Sequence, residues 1–154
     1  MRFVLLTVAV LAAAAQPAQR PPDFAFRLEY GCLRNTLDTF QGKFGRDMEP
    51  LVSIALAVPP DVLDKMYQTV MAARFVEYPS NYHEPPTNGF RFPAHYYFLD
   101  LRMDGVRHTV RWSEPVSPYT DAGLRLEQMF KSIIRIVEAL PEVQRLPLPK
   151  DACL

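Results

Sequence analysis

The sequence predicts an α+β protein: a four- to five-stranded, mainly antiparallel sheet with two helices packed on one face, in the order β-β-β-α-β-β-α. Three observations carry this. Apolar and polar residues alternate over 24–30 and again on both sides of Asp104-Gly105. That period of two belongs to strands, and Asp-Gly between two such runs is a two-residue hairpin signal. Two further stretches, 63–74 and 126–140, space their apolar residues by three and four, the period of a helix with one buried face. Helices on one side of a sheet are the layer arrangement that buries both kinds of apolar surface.

In chain order, Phe24, Phe26, Leu28 and Tyr30 form the inward set of a first strand, which Gly31 ends. Residues 33–42 are rich in Asn, Asp and Thr and read as a loop into a weaker second strand near 40–47. The run LVSIALAV at 51–58 reads as a buried strand. Pro59-Pro60-Asp61 stops it and opens a helix, since proline suits the first turn and an acid suits the N-terminus. This helix is expected to end near Arg74 or Phe75. Residues 77–94, EYPSNYHEPPTNGFRFPA, carry four prolines and one glycine and hold no period. A loop of this length is usually functional or unstructured.

The hairpin over 95–112 has its register fixed by the turn. Met103 faces Val106, Leu101 faces His108, Leu99 faces Val110 and Tyr97 faces Trp112, all on one side. Phe98, Asp100, Arg102, Arg107, Thr109 and Arg111 take the other. Asp100 sits opposite Thr109, with Arg107 and Arg111 diagonal to it. A second helix starts at Thr120 or Asp121, both suitable caps, and Pro141 ends it. The tail to Leu154 is expected to be extended.

The N-terminus reads as an address. Arg2 precedes a 13-residue apolar run, 3–15, and small residues follow. This is the order of a secretory signal peptide covering 1–18, with cleavage near Ala15 or Ala18, and residues 19–154 then form one α+β domain. The run is shorter than the ~20 residues a spanning helix needs, so no stable membrane span is expected after cleavage. An exported protein, periplasmic or extracellular, follows. Lys+Arg and Asp+Glu stand at 17 each, with no basic block, so nucleic acid is not an expected partner.

Export bears on the cysteines, Cys32 and Cys153, the only two in the chain. Neither a CxxC redox motif nor a second pair for a zinc site is present. An oxidising compartment favours a disulfide, which would close a loop of about 120 residues and tie the tail to the end of the first strand. On the chain-entropy account this stabilises by ~4–5 kcal/mol.

No GxSxG elbow and no glycine-rich phosphate cradle appears, and no cofactor is predicted. His108 falls on the apolar side of the hairpin and reads as a partly buried, hydrogen-bonded histidine. Asp47 and Glu49 read as solvated carboxylates. The loop 77–94 is the main candidate surface. Tyr82, His83, Glu84, Phe90, Arg91 and Phe92 bring aromatic, acidic and basic groups together beside the Arg102/Arg107/Arg111 face, a composition favoured at interaction surfaces. The alternative for its rings is that they fold back and close the core. The leading reading is a non-enzymatic exported module that binds a protein, peptide or envelope component. One alternative is a small metal-dependent or hydrolytic enzyme using His83, Glu84 and His95, since histidine and carboxylate are zinc-ligand types. Another is an inhibitor of secreted hydrolases that inserts the long loop.

Several stretches carry a resemblance: YGC at 30–32, DTFQGKF at 38–44 with Asp47-Met48, and LDKMYQTVMAARFVEYP at 63–79. With the hairpin ending in Trp112 and the helix ending near Leu140, they resemble small exported bacterial α+β proteins of unknown function over most of 24–147. The resemblance implies a single exported domain and brings no catalytic residues. Many such proteins begin at a lipid-anchored cysteine, which this chain lacks.

Overall fold

A computed structural model describes residues 19–32, 34–48, 50–83, 95–113 and 120–148. The predicted signal peptide, Glu49, Glu84, Phe90, Arg91, Phe92 and Cys153 lie outside these residues. The described chain is mixed α+β. It contains six strands and three helices, more than the four to five strands and two helices expected.

The strands are β1 (Ala25–Gly31), β2 (Asn35–Asp38), β3 (Lys43–Arg46), β4 (Val52–Ala55), β5 (Tyr96–Met103) and β6 (Val106–Ser113). They form one sheet in the order β4-β3-β2-β1-β5-β6, with every neighbouring pair antiparallel. The helices are α1 (Pro60–Ala72), α2 (Asp121–Glu138) and α3 (Pro141–Gln144), with a 3-10 turn at Phe75–Glu77 after α1.

The hairpin register is the predicted one: Met103 pairs with Val106, Leu101 with His108, Leu99 with Val110 and Tyr97 with Trp112. Asp104 and Gly105 both take positive φ, 52° and 74°, as a type I′ turn requires. Asp23 secures it from outside, its carboxylate accepting the Asp104 and Gly105 N–H groups at 2.9 and 2.8 Å.

Alternation runs in phase across the whole sheet. Ile54, Phe44, Leu37, Leu28, Leu99 and Val110 are successive cross-strand partners from one edge to the other. All but Ile54 are fully buried beneath the helices, against Met66 and Val70 of α1 and Phe130 and Ile133 of α2. The opposite face carries a second row: Lys43, Asp38, Arg27 and Asp100 pair in that order and alternate in sign. Opposite charges facing each other stabilise cross-strand pairs.

Four expectations need correction. Residues 35–38 form a strand, not a loop. Leu37 is their single apolar inward residue, and pairing on both sides supplies what the weak local pattern does not. β4 is an edge strand, not a buried one: Leu51 is 66% exposed and Ser53 and Ala55 are exposed. Helix α1 stops at Ala72, and Arg74 takes a left-handed φ of 55° that turns the chain so that Phe75 is buried. Pro141 does not only end α2. It begins α3 at the first helical position, where its missing N–H costs no bond, and Val143 is buried.

Candidate functional site

The first part of the loop is pinned by its tyrosines. The Tyr78 hydroxyl donates to the Ala122 carbonyl at 2.7 Å. The Tyr82 hydroxyl shares a 3.0 Å hydrogen bond with Thr120 Oγ1, the group that caps α2 by accepting the Gly123 N–H. The two rings meet edge to face at 5.2 Å. Backbone bonds complete the attachment: Arg111 N–H donates to Ser80 at 2.8 Å and Tyr82 N–H donates to Arg111 at 3.2 Å, a parallel bridge between Asn81 and Arg111. Residues 80–82 thereby pair with the outer edge of β6 at Arg111.

This attachment opens a cleft of about 510 Å3 at the ends of β1, β5 and β6. That volume lies in the range of small-ligand sites. Its floor is Tyr30, Tyr97 and Trp112, all buried. Tyr97 stacks on Trp112 at 5.3 Å and on Phe130 of α2 at 4.9 Å, so the floor is a rigid aromatic layer. The rim carries Glu29, Arg34, His83, Tyr96, Phe98 and Arg111. His83 is exposed and Tyr96 is 59% exposed. The Arg111 guanidinium lies over the Phe98 ring at 5.2 Å, a cation–π contact. Glu29 is paired with Arg27 at 2.7 Å.

Of the predicted site residues, the structure brings Tyr82 and His83 to this cleft. Tyr82 is half-buried and serves the fold as well as the rim. His95 is half-buried, with its ring tilted against Tyr97 at 6.4 Å. Among the described residues no three His, Cys, Asp or Glu side chains group as a metal site. His108 is hydrogen-bonded as predicted: its Nε2 donates to the Tyr78 carbonyl at 3.0 Å, and the ring meets Phe75 edge to face at 5.4 Å. Asp47 accepts the Arg34 N–H at 3.2 Å. Cys32 is half-buried just past β1, and no cysteine among the described residues is free.

One cluster was not foreseen. Tyr30 donates from its hydroxyl to Glu138 Oε1, and Glu138 Oε2 accepts from Arg46 at 2.8 Å. Arg46 is 3% exposed and lies over the Phe44 ring. Its Nε is buried without a hydrogen-bond partner among the described residues. Burial, followed by the bond to Glu138, pushes ionisation of Tyr30 well above the ordinary tyrosine range. The sequence signal was an arginine two residues after Phe44, on the inward phase of a strand. Its partner on α2 is 92 residues away, beyond any local pattern.

No described helix is long and apolar enough to cross a membrane. No protein-family model matches the chain, and no curated protein matches it.

Proposed function

We propose that the protein is a non-enzymatic exported binding module, with the cleft at the ends of β1, β5 and β6 as its ligand site. The observation that carries this is the pairing of a rigid aromatic floor with a rim of groups of three kinds: cationic Arg34 and Arg111, aromatic Tyr96 and half-buried Phe98, and exposed His83. Tyr and Arg around a well-packed apolar centre are the composition of interaction hot spots. A peptide or envelope component offering an apolar group to the floor and a carboxylate or phosphate to Arg111 fits this chemistry.

Three further readings belong with it. Residues 1–18 act as the signal peptide. Cys32 and Cys153 form the chain's disulfide, a reading supported by the lack of a free cysteine among the described residues. The loop 77–94 is the partner-binding loop, a reading supported by Tyr82 and His83 lining the cleft.

The chain's single tryptophan, Trp112, lies in the floor of the cleft and reports on it. Titration with peptide and glycan fractions of the cell envelope should change its emission in a saturable way. The Tyr96→Ala/Arg111→Ala double variant should weaken that response at least ~tenfold, on the order of one lost hot-spot contact. Identical titrations for the two proteins would refute the assignment.

A further inference from the structure

We propose that β4 is a docking edge for a second copy of this chain, pairing antiparallel with its own counterpart about a two-fold axis at Ile54. The two edges of the sheet are treated differently. The β6 edge is bridged at Arg111 by residues 80–82, whereas among the described residues β4 has β3 on one side and no strand on the other. Leu56 N–H donates inward to Gly42 at 2.8 Å, and Ile54 lies opposite Phe44. Strand alternation therefore turns the N–H and C=O groups of Ser53 and Ala55 outward. Among the described residues neither receives a further backbone bond.

An open strand edge is a template for another strand, and proteins usually blunt it with charge, bulges or cover. β4 is short, four residues between Pro50 and Pro59, but among the described residues its edge carries no charge and no cover. From Pro50 to Pro60 the chain carries no charged residue, and Leu51 is 66% exposed. The run LVSIALAV has the composition of a strand buried on all sides, yet it stands at the rim of the sheet.

Self-complementarity selects a second copy as the occupant. With the axis at Ile54, Ile54 faces its own copy, Val52 faces Leu56, and Ser53 faces Ala55. Every outward backbone group of Ser53 and Ala55 is then bonded. Apolar side chains meet on the helix side, small ones meet on the open side, and no like charges are brought together. The helix-side row that runs from Val110 to Ile54 continues into the partner without a break. A strand this short gives an interface at the small end of the specific range, so the dimer should dissociate reversibly at micromolar concentrations.

The test is sedimentation equilibrium of the processed full chain across the micromolar range, with circular dichroism as a check on folding. Wild type should approach the mass of two chains. Ala55→Pro removes only an outward N–H, so it should leave the fold intact and give a monomer. Ser53→Lys/Ala55→Lys sets lysine opposite lysine and should weaken the dimer at least ~tenfold. Ser53→Lys/Ala55→Glu sets opposite charges in register and should restore it. Three results would overturn the proposal: a wild type that stays monomeric, a folded Ala55→Pro variant that still dimerises, or a mass that climbs past two chains.

Discussion

Arg107 grips Asp100 in a two-pronged bond across the hairpin: Nε donates to Oδ1 at 2.7 Å, and a terminal nitrogen donates to Oδ2. The Asp100 side chain is 8% exposed and that of Arg107 is 68% exposed, so a buried acceptor is held by a solvated donor. The hydrogen bond from Arg107 keeps the Asp100 carboxyl below its usual range, against the upward push of burial. A depressed carboxyl stabilises the fold above its unfolded pKa, and that contribution is lost as pH falls through the folded value. Asp100→Asn should therefore lower stability by about 1 kcal/mol at neutral pH and have little effect near pH 2. Thermal melts at the two pH values check this. Equal losses at both would point to packing rather than charge.

The Tyr30–Glu138–Arg46 cluster gives a second pH signature of opposite sense. Because ionisation of Tyr30 is pushed up on folding, its contribution is present below the unfolded value near pH 10 and lost as pH rises beyond it. Tyr30→Phe should cost about 1 kcal/mol at neutral pH and make the alkaline loss of stability shallower. Glu138→Gln should cost more, about 3 kcal/mol, because it leaves Arg46 buried without its counter-charge. Urea unfolding of the three proteins at neutral and alkaline pH would rank them.

The centre of the inward row offers a packing test. Leu28 lies between Leu37 and Leu99 and is fully buried. Leu28→Ala should cost about 3–4 kcal/mol through lost burial and a cavity shared by three strands. Chemical denaturation measures it directly.

The proposed Cys32–Cys153 bond predicts that protein from the exported fraction has an intact mass about 2 Da below that of the reduced chain. Cys153→Ser should lower stability by up to ~4–5 kcal/mol on the loop-entropy account. Two titratable thiols in exported protein would contradict the pairing.

What the sequence disclosed depended on the range of the interactions involved. The β5–β6 register was legible to the residue because Asp104-Gly105 fixes the turn and alternation fixes the faces. The two long helices were legible from their apolar stripes. β2 was not, since Asn35-Thr36-Leu37-Asp38 carries one inward apolar residue and depends on neighbours on both sides. β4 showed the composition of a buried strand, and composition cannot tell an edge from a centre. The candidate loop was recognised by its prolines and aromatics, but not the anchoring of Tyr78 and Tyr82 on the start of α2, 38 to 44 residues away. Of the cleft's lining, the sequence pointed to Tyr82 and His83 in the loop and to Arg111 on the adjoining face, but not to the ends of β1 and β5 that complete it.

The most direct test of the binding role is site-specific photocross-linking in exporting cells. A photoreactive phenylalanine in place of Tyr96 samples the rim of the cleft. The same group in place of Val106 samples the far end of the hairpin, with similar exposure of 66% against 59%. The account predicts one discrete adduct from position 96, lost when Arg111→Ala is added, and none from position 106. No adduct at position 96, or the same adduct from both positions, would contradict it.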